Sequence, residues 1–159
     1  MATVEHGGSA EPKLVIPALA PFYGWVRELS WLVIRLTAGG VLFVHGWDKI
    51  TRLGVSGFAS GSLARRGIEP SVPLAYLIIF NETVGAICLM LGLFTRVIAA
   101  IIAIEFAVIT FYVSYPNGFT WTSTGGGWEY PFLWGLVIFA IALRGGGPYS
   151  LDRLIGREI

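Results

Sequence analysis

The sequence predicts an all-α integral membrane protein, a bundle of four transmembrane helices with an interfacial helix in the first loop. Two observations predict it. Of 159 residues, 55% are hydrophobic and only 13% are charged, where a soluble domain carries about 25% charge; the mean hydropathy is +0.70. The apolar residues also fall into runs close to the length that crosses a bilayer, separated by glycine, proline and charge.

The elements follow in order. Residues 1–28 read as a tail with three prolines (Pro12, Pro17, Pro21), leading into an aromatic, interfacial stretch from Phe22 to Ser30. The membrane domain covers 29–144. Span one runs from about Leu29 to Trp47 and places Arg35, Gly39, Leu42, Gly46 and Lys49 on one face. Glycines on such a face let a neighbouring helix approach closely. Lys49 is expected to snorkel to the surface. Phe58 to Arg66 can form a short amphipathic helix on the membrane, with Arg65 and Arg66 at the headgroups.

Span two starts at Pro73, and Glu82, Gly85, Leu89 and Gly92 share a face. Span three runs from about Val97 to Tyr115 and is closed by Pro116-Asn117-Gly118. An uncharged loop from Phe119 to Trp128 follows, then span four from about Glu129 to Leu143, short for a full crossing. Residues 145–159 read as a short C-terminal tail.

A net charge of +1 points away from nucleic acid. Cys88 is the single cysteine, so the sequence carries no cysteine pattern for a metal cluster or zinc. Any electrons must then come from a partner or a soluble substrate. With four spans both termini share one side. That side collects Lys13, Arg27, Arg96, Arg144, Arg153 and Arg157 against Lys49, Arg52, Arg65 and Arg66 on the other. This bias predicts cytoplasmic termini.

The candidate site comes from ionisable residues inside the spans. Arg35 and His45 lie in span one, Asn81 and Glu82 in span two and Glu105 in span three. A charge at the bilayer centre costs about 2.5–3.5 kcal/mol on insertion scales, so these groups are expected to face inward and meet. At 1.5 Å of rise per residue, Arg35 lies at roughly 9 Å from the cytoplasmic side, Glu105 at roughly 12 Å, Glu82 at roughly 18 Å and His45 at roughly 24 Å. Arg35 is therefore expected to pair with Glu105 or Glu82, with His45 a turn from Glu82. A carboxyl group and an imidazole so placed can carry protons or hydrogen-bond a quinone carbonyl; equally, a polar cluster can serve only to fix helix register. Glu129, beside Trp128, would cap span four or line an entrance.

The stretches RLTAGGVLFVHGWDK in span one, NETVGAICLMLGLFTR across span two and its turn, and GGWEY with RGGGPYSLD near the end resemble the DoxX-like family of small four-helix bacterial membrane proteins. Arg35, Gly46, Lys49, Glu82, Gly92, Glu129, Gly147, Pro148 and Asp152 match its recurrent positions; Glu105 departs from it. The resemblance implies a membrane subunit of a redox system linked to quinone, at most a subunit of an oxidoreductase. Family members include a quinone-reducing thiosulfate oxidoreductase and subunits of complexes that handle oxidative stress. On that basis Glu82, Arg35 and His45 are the expected proton-handling centre, and Asn81, Glu82, Glu105, Glu129 and Trp128 the expected quinone contacts. The expected partners are the lipid bilayer, a redox or respiratory subunit, or a second copy of the chain. A non-enzymatic scaffold and a proton-coupled solute transporter are the alternative functions.

Overall fold

The computed structural model describes residues 13–157; His6 and the rest of 1–12 fall outside them. The described residues are helical and contain no strand. Helix α1 (Ala20–Asp48) begins nine residues before the expected start of span one, because Phe22 to Ser30 continues the same helix. It passes into a wider π-helical turn, Lys49–Leu53, then a short helix α2 (Gly54–Phe58) and a second π turn, Ala59–Leu63. Next come α3 (Ser71–Phe80), the π segment Asn81–Gly85 and α4 (Ala86–Leu91), which together make one rod. Helix α5 (Thr95–Val108) also ends in a π segment, Ile109–Ser114. Helix α6 (Glu129–Arg144) and the short α7 (Leu151–Ile155) complete the chain.

Three rods, Pro17–Arg66, Ser71–Leu91 and Thr95–Asn117, are long and apolar enough to cross a membrane. Helix α6, with 16 residues, is about 24 Å long. All four helical units feed one core: Trp31, Ala38 and Leu42 from α1, Ala86 and Leu89 from α4, Ala99 and Ile102 from α5, Ile138 and Ile141 from α6. Outside that core the polarity is inverted relative to a soluble protein. Ile104 is 65% exposed while Arg35 is 1% exposed, the arrangement expected when the surrounding solvent is hydrocarbon.

The first loop folds as helix, but not as a free interfacial one. Phe58, Ala59 and Leu63 are buried against Ala75 and Ile79 of α3, leaving Arg65 and Arg66 exposed.

The glycine faces set the register between α1 and the α3–α4 rod. A Cβ on Gly39 would lie 2.8 Å from the Ala86 carbonyl, and one on Gly46 would lie 2.8 Å from the backbone of Glu82. The rods therefore run antiparallel in close contact, with Gly46 opposite Glu82, Gly39 opposite Ala86 to Met90, and Arg35 opposite Gly92.

Candidate functional site

The buried polar residues form two clusters about three helical turns apart along α1, not one centre. At the first, Arg35 donates through Nη1 to the Gly146 carbonyl and through Nη2 to the Tyr149 carbonyl. Its acidic neighbour is Asp152. The expected pairing of Arg35 with Glu82 or Glu105 is therefore corrected: among the described residues Arg35 makes an ion pair with neither. The antiparallel register carries it toward Gly92 at one end of the rod, while Glu82 faces Gly46, three turns away along α1.

Asp152 closes this end. Its carboxylate accepts from Phe94 N (2.7 Å), Thr95 N (2.9 Å) and Thr95 Oγ1 (2.6 Å). It thereby caps α5 from a distant segment, satisfying orphan N–H groups with a negative charge at the helix N-terminus. Trp31 Nε1 donates to the Gly145 carbonyl at 2.9 Å, and the Arg144 guanidinium sits 4.6 Å over the Trp31 ring. The stretch after α6 is thus tied to the bundle: Ser150 and Asp152 are buried.

The second cluster lies where π segments of three rods come together. Lys49 opens the first, Glu82 sits in the second, and Ile109 and Ser114 bound the third; all four residues line one cavity of about 680 Å³. Such bulges redirect side chains and recur at functional sites. Lys49 Nζ hydrogen-bonds Glu82 Oε2 as an ion pair and lies 5.4 Å from the Phe58 ring. Gly46 makes this pair: with no Cβ it lets α1 touch the backbone of Glu82, and Lys49 follows one turn later. Behind Glu82, Asn81 Nδ2 donates to Glu105 Oε2. Glu105 is also within Coulombic reach of Glu82 and Lys49, and its Oε1 is buried without a hydrogen-bond partner among the described residues.

Of the residues expected at the site, Glu82 and His45 line the cavity. Asn81 and Glu105 stand behind Glu82, and Arg35 lies about three turns back along α1, near the middle of that helix. Glu129 and Trp128 brace the loop over the cavity. Glu129 Oε2 accepts from Trp121 N at 3.3 Å, and the Trp128 ring packs on Tyr115, Phe119 and Phe132. That loop brings Trp121 and Gly125 to Gly127 to the cavity wall. Gly127 is confined there, since a Cβ would lie 2.2 Å from the Thr120 carbonyl.

Sequence reasoning missed two residues. Lys49 read as a surface lysine, although it shares a helical face with Gly46. Trp134, within span four, is not among the residues expected at the site. It lines the cavity, and its Nε1 is buried without a hydrogen-bond partner among the described residues. A buried indole N–H ordinarily finds an acceptor, so this donor is available to a ligand. The one available clue was an indole in mid-span, away from the interface where tryptophan gathers.

The DoxX family model matches residues 30–115, more than half of the chain. The chain belongs to the DoxX family. With its three long apolar rods, this DoxX protein is a membrane protein. The matched region holds Arg35, Lys49, Glu82 and Glu105, hence the main charged members of both clusters, while Trp134 and Asp152 lie beyond it. The DoxX chain is also 29% identical over 120 residues to a Haemophilus influenzae protein described only as uncharacterized, covering 75% of this chain and 85% of that one. No solved structure matches it.

Proposed function

We propose that this DoxX-family protein is the quinone-binding membrane subunit of a redox system in the bacterial inner membrane, with both termini in the cytoplasm. The observation that carries the reading is the cavity itself: about 680 Å³, largely walled by apolar and aromatic side chains, with Lys49, Glu82, His45, Ser114, Tyr130 and the Trp134 N–H, unpartnered among the described residues, as its polar groups. This is the usual make-up of a small-molecule site.

A quinone ring is flat and apolar and carries two carbonyl acceptors. Lys49 Nζ and Trp134 Nε1 supply donors for those carbonyls. Glu82 accepts from a quinol hydroxyl, and with Glu105 behind it can hold or hand on a proton at the cavity wall. His45 stands at the rim. The chain's own residues thus bind and orient the ring, and electrons are delivered by a partner subunit. In this reading 29–144 is the membrane domain, α6 completes a fourth crossing with the aromatic loop before it, and 145–159 is a tail fastened to the Arg35 end.

The test is a titration of the purified protein in nanodiscs with a tailless benzoquinone, read by tryptophan fluorescence quenching. The expected result is saturable quenching that Glu82→Gln weakens at least tenfold. Unsaturable quenching in the parent would sink the proposal. A stoichiometric partner protein without ligand would then favour a scaffold, and pH-driven uptake in proteoliposomes a transporter.

A further inference from the structure

The cavity is long, and its chemistry is graded along its length. On α1 its wall passes through Ala38, Val41, His45 and Lys49, at i, i+3, i+7 and i+11, which is about 16 Å of helix. On α6 it passes through Trp134 and Ile138, one turn apart. The charged pair, Lys49 with Glu82, sits at one end. At the other end the wall is Ala38 and Ile138, both 1% exposed, so the seam between α1 and α6 is sealed there. Towards the charged end it loosens: Val41 and Trp134 are half-buried and His45 is exposed. His45 has exposed apolar neighbours along the chain, Val44 and Trp47, which belong to the surface that faces hydrocarbon. An exposed imidazole there has no use in a purely structural seam. The loop with Trp121 and Gly125 to Gly127 walls the cavity on another side.

We infer that the ligand is a membrane-dissolved amphiphile, a flat polar head on a long apolar chain, which comes in sideways between α1 and α6. It passes His45 head first, and its chain trails back through the loosened part of the seam, between Val41 and Trp134, toward the bilayer. This rests on the quinone reading of the same cavity and adds the chain and the route. Lys49, Glu82 and Trp134 hold the head at the polar end, and His45 offers it a hydrogen bond at the bilayer-side rim. The neighbouring wall residues Val41, Leu42 and Ile138 are apolar, so a hydrocarbon chain lies against them without burying an unpaired polar group.

Two benzoquinones with the same ring, one tailless and one carrying a decyl chain, are titrated against the parent, Val41→Trp and Val33→Trp in nanodiscs. Val41→Trp is expected to weaken the tailed compound at least tenfold while the tailless one changes less than threefold; Val33→Trp, at an exposed position off the cavity wall, should leave both within threefold of the parent. Equal loss of both rings in Val41→Trp, or no loss of either, overturns the lateral route while leaving the quinone site standing. No binding of either ring to the parent overturns both. A decyl quinone with a diazirine on its chain gives a second readout in the parent protein, independent of whether Val41→Trp folds. Labels within 38–45 and 134–138 support the route, and labels confined to 119–128 overturn it.

Discussion

At the Arg35 end, Asp152 accepts three hydrogen bonds from the start of α5 and Arg35 grips two carbonyls of the segment after α6. There is little room: a Cβ on Gly92 would lie 2.7 Å from Arg35 Nη1. At the Lys49 end, an ion pair borders about 680 Å³ of space and an indole N–H with no acceptor among the described residues. Unsatisfied polar atoms occur at both sites, Arg35 Nε at one and Glu105 Oε1 and Trp134 Nε1 at the other, so what separates the two is the space beside them. Where charges bond backbone and the packing is closed, they fix how helices and tail meet. Where they line a cavity, they are poised for something that is not protein.

Removing one member of each arrangement separates them. Asp152→Ala has the largest expected effect. It strips the cap from α5 and leaves Arg35 without its acidic neighbour, a loss of about 3–5 kcal/mol for breaking a buried charged arrangement. Thermal unfolding in detergent should show a much lower midpoint, while the protein that remains folded binds quinone as the parent does. Gly46→Ala comes next. Its methyl group meets the Glu82 backbone, overpacking that costs about 1–3 kcal/mol. Because it moves Lys49 away from Glu82, quinone affinity should fall with stability; a fall in stability alone would mean the cavity does not depend on this contact.

Glu82→Gln keeps the shape. Glu82 is as buried as Asp152, but the substitution keeps a hydrogen-bonding amide beside the cavity and the partner Lys49 is partly exposed. It should therefore cost about 1–3 kcal/mol of stability, less than Asp152→Ala, yet weaken quinone at least tenfold in the quenching titration. Trp134→Phe is the smallest. It removes the donor, worth about 1 kcal/mol, and trims the indole to a smaller ring at the cavity wall, so affinity should drop about fivefold with little change in the unfolding midpoint. If Glu82→Gln instead destabilised as strongly as Asp152→Ala, the two ends would not differ in kind.

Much of the fold was legible because it rests on local signals. Apolar runs, prolines and glycine turns placed the long helices, and the glycine face of α1 proved to be a surface that touches the α3–α4 rod, whereas Gly85 of the second face lies against Asn81, and against Ile98 of α5. The pairing of charges was not legible from depth. Each span was hung from its own hydropathic edge, which set Arg35 near the carboxylates and sent Lys49 to the surface. Register is fixed instead by which glycine meets which backbone: Gly46 against Glu82 and Gly39 against Ala86, in antiparallel order, set Lys49 near Glu82 and Arg35 near Gly92. The grip of Asp152 on α5 depends on a contact across 57 residues of sequence, which no periodicity reports. The π segments were equally invisible, since no residue in Asn81–Gly85 or Ile109–Ser114 distinguishes a widened turn from an ordinary one.

Native mass spectrometry of the parent, Glu82→Gln and Asp152→Ala, each extracted gently from its own membrane, tests the division most directly. A quinone-sized adduct is predicted on the parent and on folded Asp152→Ala, and absent from folded Glu82→Gln. An adduct that survives Glu82→Gln, or that vanishes from folded Asp152→Ala, would contradict the assignment of ligand to the Lys49 end and structure to the Arg35 end.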